Sequence, residues 1–91
     1  MKYVLFLCPP AGGEDLVVTA GTRLRPPEDA TTVRVQGHEV LLSDGPFIEA
    51  KEYVAGIDII EVENLDEAIS LASRHPAALG GGTVEVRPVW E

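Results

Sequence analysis

The apolar positions of the chain fall into short runs that are typical of β-strands. Residues 2–8 are almost continuously apolar, which favours a central strand that is covered on both faces. Further runs rich in β-branched residues predict strands at 15–22, 31–36, 39–43, 54–63 and 83–90. Gly37 and His38 separate the third run from the fourth, so we expect a hairpin there. Pro26 and Pro27 favour a stiff extended linker before it.

One segment, residues 64–75, has helical periodicity instead. Its apolar positions recur at helical spacing, at Leu65, Ala68, Ile69 and Ala72. Asn64 is suited to cap the helix, Glu67 completes a capping-box-like pattern, and Pro76 ends it. A helix between two strands of one sheet is the second half of a ferredoxin-like α+β domain. Too few residues separate the first two predicted strands to form a helix. The first half of the domain therefore lacks most of the helix that would correspond to the one at 64–75.

The length of 91 residues predicts a single domain over residues 1–91. A domain of this size buries only about 60–65% of the surface of its unfolded chain, so its core is thin. The single cysteine, Cys8, excludes an internal disulfide and any site built from several cysteines. Association with a second copy is the commonest source of extra buried area, and we expect a homodimer or a higher homo-oligomer.

The net charge of −8, from 15 acidic and 7 basic residues, argues against a nucleic-acid partner, which needs clustered lysines and arginines. The apolar start from Tyr3 to Cys8 is too short for the core of a signal peptide or for a membrane span. We therefore expect a cytoplasmic protein that binds neither nucleic acid nor a membrane.

The chemically richest segment is residues 44–52, with the sequence DGPFIEAKE, because functional residues concentrate on loops that a rigid scaffold holds. Asp44 is the best candidate for a general acid–base, since a carboxylate at the mouth of a cavity can accept a proton. Its alternative role is to cap the following turn by accepting hydrogen bonds from backbone N–H groups. Phe47 is a candidate ligand contact or a core or interface anchor. Lys51 is a candidate ligand contact or a partner of a nearby glutamate.

Three residues outside this loop are further candidates. His75 suits an acid–base partner, although a position at a helix C-terminus also predicts a merely exposed histidine. Arg34 could hold an anionic ligand through paired hydrogen bonds, or it could pair across the sheet with Glu39. Asp58 lies between isoleucines, which places it either at the rim of a site or in a structural position. The same two roles are open for Arg87, which could hold an anionic ligand or pair across the sheet with a glutamate such as Glu85.

No metal or cofactor is expected from the residue pattern. The two histidines and the scattered acids lack the spacing of metal ligands. The glycines at 80–82 join a helix to a strand, whereas phosphate-binding loops join a strand to a helix.

Several motifs in combination resemble the YCII-related, DGPF-type proteins, from about Leu24 to the end of the chain. They are residues 31–34, 43–52, Gly56 with 59–62, 65–68 and 84–89. The resemblance implies a dimeric α+β barrel of ferredoxin-like protomers in which two sheets face each other. It implies a pocket beside the DGPF loop for a small organic molecule, anionic or derived from an aromatic compound, because some relatives act on intermediates of aromatic degradation. The alternative is a non-enzymatic dimeric partner or regulatory module, since some members accompany sigma factors of transcription.

The chain departs from this family pattern in two places. Only residues 9–14 stand where the family carries a long helix, so the hairpin at 31–43 or a partner subunit is expected to cover the sheet there. An aromatic pair usually follows the family's glycine, whereas this chain has Ile57 and Asp58. If Asp58 faced the barrel interior, it would place a carboxylate where an aromatic ring normally packs.

Overall fold

The computed structural model of the chain describes residues 1–10, 21–47 and 53–91. The strands are β1 (Lys2–Cys8), β2 (Thr22–Arg23), β3 (Thr31–Gln36), β4 (Glu39–Asp44), β5 (Gly56–Glu61) and β6 (Thr83–Pro88). The helices are α1 (Leu65–Ser73) and α2 (Pro76–Leu79), and a short 3₁₀ helix covers Pro27–Asp29.

The main sheet has the strand order β2-β5-β1-β6, and every pair of neighbours in it is antiparallel. Strands β5 and β6 flank β1, and the two helices join them across one face of the sheet. This order and the strand–helix–strand crossover confirm the predicted ferredoxin-like α+β fold.

Strand β1 lies in the interior of this sheet, as its apolar sequence predicts. Tyr3, Leu5 and Leu7 alternate towards the helices and are buried, at 3%, 1% and 0% exposure. Val4 and Phe6 point to the opposite face and are only half-buried. Among the described residues the helices pack on one face alone, so a cover on the second face stays a prediction.

Local sequence determines where α1 begins. The side chain of Asn64 accepts a hydrogen bond from the Glu67 backbone N–H at 2.9 Å, so the predicted cap is confirmed. The Glu67 carboxylate accepts a hydrogen bond from the backbone N–H of Glu63 rather than that of the cap residue. Ala68 and Ala72 are buried against the sheet because their small side chains allow a close approach.

The predicted end of this helix differs from the observed one. Helix α1 ends at Ser73, and a second short helix begins at Pro76. Proline fits the first position of a helix because its missing N–H would have no partner there. Pro76 therefore ends one helix and begins the next.

The predicted hairpin is confirmed as β3 and β4, which pair from Thr31 opposite Asp44 to Gln36 opposite Glu39. Gly37 occupies the first central position of the turn with φ of +62°, a backbone conformation that glycine adopts without strain. The hairpin forms a two-stranded sheet of its own, and nearly all its side chains are exposed. It does not cover the main sheet, which leaves the other expected cover, a partner subunit, as a prediction.

The dimensions agree with a hairpin that projects from the body of the domain. The radius of gyration is 15.1 Å, whereas a compact domain of this length has about 12 Å. The longest extent of the molecule is 43 Å and its shortest is 18 Å.

Other predicted elements are shorter or lie outside the described residues. Of the strand predicted at 15–22, only Thr22 is described as strand, in β2. The prediction of an extended linker is wrong for Pro27, because this residue begins the 3₁₀ helix. Pro26 is extended, as predicted. Most of residues 9–14 lie outside the described residues. Among the helices described, none has the length and apolar character needed to cross a membrane.

Candidate functional site

A cleft of about 660 Å³ lies at the base of the hairpin. This volume is within the range of roughly 300–1,000 Å³ that small-molecule sites occupy. Most of its lining side chains are apolar, and three are prolines. The lining residues are Leu24, Arg25, Pro26, Pro27, Asp29, Ala30, Pro46, Phe47, Tyr53 and Val54.

Backbone hydrogen bonds fix the walls of this cleft. The Leu24 N–H donates to the carbonyl oxygen of Ala55 at 2.8 Å, which joins the segment that contains Leu24 to the residues before β5. The Gly45 N–H donates to the carbonyl oxygen of Ala30 at 2.7 Å, and the Thr32 hydroxyl donates to the Gly45 carbonyl at 2.8 Å. The cleft is thus bounded by segments that are held in place at the hairpin base.

Among the described residues that line the cleft, the charged ones are Arg25 and Asp29. The Arg25 Nε donates to the Asp29 carboxylate at 3.0 Å, and the arginine side chain is 86% exposed. Arginine carries five N–H donors, so this contact leaves donors that a ligand can use. Tyr53 adds a half-buried phenol to the lining. The site therefore combines apolar walls with a small number of polar groups, as ligand pockets do.

Phe47 and Arg34 are the predicted site residues that the structure brings together. Phe47 lines the cleft and is 72% exposed. The Arg34 guanidinium carbon lies 5.9 Å from the centre of the Phe47 ring, which is within the range of a cation–π contact. Arg34 does not itself line the cleft.

Asp44 lies at the end of β4, opposite Thr31 and next to the cleft in sequence, but it is not one of the lining residues. Its side chain is exposed. In the described part of the chain, its carboxylate makes neither a hydrogen bond nor an ion pair that would cap the turn. The acid–base role of Asp44 stays a prediction.

His75 occupies a different environment from the one that its sequence position suggests. It is 6% exposed, and it precedes α2 as the capping residue. Its Nδ1 atom accepts a hydrogen bond from the Ala77 N–H at 3.1 Å, while its Nε2 has no partner among the described residues. The expectation of an exposed histidine at a helix C-terminus is wrong. His75 is separate from the lining of the cleft, so its acid–base role also stays a prediction.

Asp58 is not one of the described residues that line the cleft. Asp58 pairs with Leu5 across the sheet, so it lies on the face that carries the helices and not on the open one. It is half-buried there. Lys51 lies outside the described residues. The Arg87 guanidinium contacts the Glu85 carboxylate at 2.7 Å, but both residues lie on β6, so this pair does not run across the sheet as predicted.

Sequence reasoning missed most of the lining, including Leu24, Arg25 and Tyr53. The sequence contains one signal of the position of the cleft, because Pro26, Pro27 and Pro46 place rigid backbone on both sides of the hairpin. Within the part of the chain that the structure describes, no group of three or more histidine, cysteine or acidic side chains is placed to hold a metal ion.

Comparisons with known proteins identify the family of the chain. The family model of the YCII-related domain matches residues 13–91. An uncharacterized protein of Rhizobium meliloti (strain 1021) is 38% identical over 71 residues, which cover 74% of this chain and 55% of the relative. The chain thus spans about half the length of the curated relative that it matches.

Proposed function

The chain belongs to the YCII-related domain family, and we propose that it binds a small organic molecule in the cleft at the base of its hairpin. The observation that carries this proposal is the cleft itself, which is large enough for a ligand and lies beside Pro46 and Phe47 of the DGPF loop. Burial of an apolar ligand against its walls would supply most of the binding free energy.

The lining supports a ligand with an apolar body and one anionic group. Leu24, Val54 and the ring of Phe47 offer apolar contacts, and Phe47 can stack on an aromatic ring. Arg25 offers unused N–H donors to a carboxylate. The Asp29 carboxylate beside Arg25 repels a second anionic group of the ligand. The cleft therefore suits a ligand with a single carboxylate better than a highly charged one.

A reaction is a further part of the proposal, with Asp44 as the acid–base group. Two features support a position near the ligand: Asp44 lies two residues before Pro46, which lines the cleft, and its exposed side chain is accessible. Proton transfer needs the carboxylate within about 2.6–3.2 Å of the ligand atom, or one water away. A ligand that extends from the cleft to the Asp44 carboxylate would meet this condition.

We also propose a homodimer that uses the open face of the main sheet. Val4, Phe6, Ile57 and Ile59 share this face, and Ile59 is 62% exposed. Facing sheets of two copies would bury these side chains together. The net charge of −8 and the scattered acids support neither a nucleic acid nor an anionic membrane as partner.

Binding can be tested by ¹H–¹⁵N NMR with a panel of aromatic and branched aliphatic carboxylic acids and the matching amides. We expect the acids to shift the backbone signals of Leu24, Ala30 and Val54, because these residues line the cleft. Signals of α1 serve as the internal control and should not move. If no member of the panel binds, or the shifts lie away from the cleft, the proposal is wrong.

The second candidate function is a non-enzymatic dimeric partner or regulatory module. The separation of His75 from the cleft favours it, since the two predicted acid–base residues then do not form one site. A dimer that binds no member of the ligand panel, and is unaffected by Asp44→Ala in any activity assay, would support this candidate over the first.

A further inference from the structure

The hairpin has one face made entirely of apolar side chains over its middle and tip. Val33 is opposite Leu42 and Val35 is opposite Val40, and directly opposed residues of antiparallel strands point to the same side. Their exposed fractions are 59% for Val33, 67% for Leu42, 68% for Val35 and 63% for Val40. The opposite face carries polar side chains at most positions, including Arg34, Gln36 and Glu39.

Two-stranded sheets of this kind need a cover. An isolated hairpin is only marginally stable in water and requires packing against a further element. Nothing in the described part of the chain packs on the apolar face, because all four side chains remain more than half exposed. A contiguous apolar surface on a projecting arm marks an interaction site.

We propose that a second copy of this chain covers the apolar face of the hairpin. This inference extends the proposed homodimer, on which it rests, from the main sheet to the hairpin. The hairpin projects from the body of the domain, and so it can reach beyond its own subunit to the partner.

The area that a stable dimer needs argues for this occupant. The four side chains expose roughly 400 Å², about half of the roughly 800 Å² that each partner contributes to a standard interface. The open sheet face, which carries Phe6 and Ile59 beside the Glu85–Arg87 ion pair, offers a second contact surface. The hairpin face alone is therefore smaller than a standard interface, and a dimer that also joins the open sheet face would bury more.

Charge points to the same occupant. Two chains of net charge −8 repel each other, and the repulsion is smallest where the contacting surfaces carry no acids. The apolar face carries no charge over its middle and tip, at Val33, Val35, Val40 and Leu42. The acid that shares this face, Asp44, lies at the base of the hairpin. A two-fold dimer can therefore join the apolar parts and leave Asp44 at the edge, beside the cleft.

Sedimentation velocity over a concentration series tests this proposal with two neighbouring substitutions. Val35→Lys places a charge on the apolar face, whereas the control, Gln36→Lys, places the same side chain on the opposite face of the same strand. We expect the wild type and Gln36→Lys to be dimers of similar affinity. We expect Val35→Lys to raise the dissociation constant at least about 10-fold, because a lysine would be buried against apolar groups.

Ile59→Lys on the open sheet face separates this proposal from the homodimer itself. If Ile59→Lys dissociates the dimer and Val35→Lys does not, the homodimer stands and the role of the hairpin is refuted. If the wild type is a monomer throughout the series, both proposals fail. Circular dichroism checks that Val35→Lys is folded. If Val35→Lys is not folded, the test uses Val35→Thr, which keeps the shape of the side chain. The proposal then requires that Val35→Thr weakens the dimer and that Gln36→Thr does not.

Discussion

His75 accepts a hydrogen bond from the backbone N–H of Ala77, with 3.1 Å between the histidine Nδ1 and the amide nitrogen. The imidazole thereby caps α2, and it is buried where this helix follows α1. A neutral imidazole has one acceptor nitrogen, and the cap uses it. The arrangement favours a structural role for His75 and leaves the cleft to other residues.

This role predicts a loss of stability in His75→Ala. Removal of a capping side chain costs about 1 kcal/mol, and the small cavity left behind adds to the loss. The midpoint of thermal unfolding should fall by at least about 4–8 °C. Ligand binding at the cleft should be retained in the folded variant. In His75→Asn, which keeps an acceptor at the cap, part of the stability should return. An unchanged midpoint in His75→Ala would contradict the structural role.

The cap of α1 gives a second prediction. Asn64→Ala should lower the free energy of unfolding by about 1 kcal/mol, because the Glu67 N–H loses its acceptor. Ser70→Ala is the matched control, since Ser70 lies on the exposed side of the same helix and its loss should change little. Urea denaturation measures both. Equal effects of the two substitutions would contradict the cap.

Gly82 gives a third prediction, because there is no room for a side chain at this position. An added Cβ would meet the carbonyl oxygens of Cys8 and Ala77, the latter at 2.8 Å, and both belong to the backbone. Gly82→Ala should therefore destabilise the domain by about 2 kcal/mol or more. No other atom lies within 4 Å of a Cβ added at Gly37. Gly37→Ala should therefore lower the free energy of unfolding only through the left-handed backbone conformation, by about 1 kcal/mol. Chemical denaturation of both variants would show the order, and a smaller loss in Gly82→Ala would contradict the packing described here.

Asp44 offers a prediction that separates its two suggested roles. Its exposed carboxylate has no partner among the described residues, so Asp44→Ala should change the free energy of unfolding by less than about 0.5 kcal/mol. A thermal shift assay with and without a bound carboxylate measures this value and the ligand effect together. A lower midpoint without ligand would show that Asp44 caps the turn. An unchanged midpoint with a lost ligand effect would support a role in the site.

The regular elements could be predicted from the sequence because their signals are local. The hairpin follows from β-branched runs around Gly37, and α1 follows from Asn64 and the apolar spacing after it. The place where α1 ends was missed, since helical residues continue to His75 and only Pro76 marks the break. Burial of His75 depends on how two short helices fold together, which periodicity does not describe.

The candidate site was only partly predictable. Phe47 was identified because it lies in the DGPF loop, but the rest of the cleft comes from segments before β3 and before β5. These segments meet through hydrogen bonds such as that from Leu24 to Ala55, and no spacing rule connects them. The projecting hairpin was also unforeseen, because alternating apolar residues are as typical of a strand packed on its own domain.

The central claim is that the cleft at the hairpin base binds a small carboxylic acid, and calorimetric titration tests it most directly. The probe is 3-phenylpropanoate, with its amide as the uncharged comparison. Arg25→Gln removes the proposed anion contact. Arg23→Gln is the control, because Arg23 is also exposed but does not line the cleft.

We expect the wild type and Arg23→Gln to bind the acid equally and to prefer it to the amide. Arg25→Gln should weaken binding of the acid by roughly 3- to 10-fold and leave the amide unchanged, since a charged hydrogen bond at an exposed site contributes about 1 kcal/mol. Ala30→Phe, which fills the cleft, should abolish binding of both compounds, while Ser70→Phe should not. Undiminished binding in Ala30→Phe, or no binding by the wild type, would contradict the account.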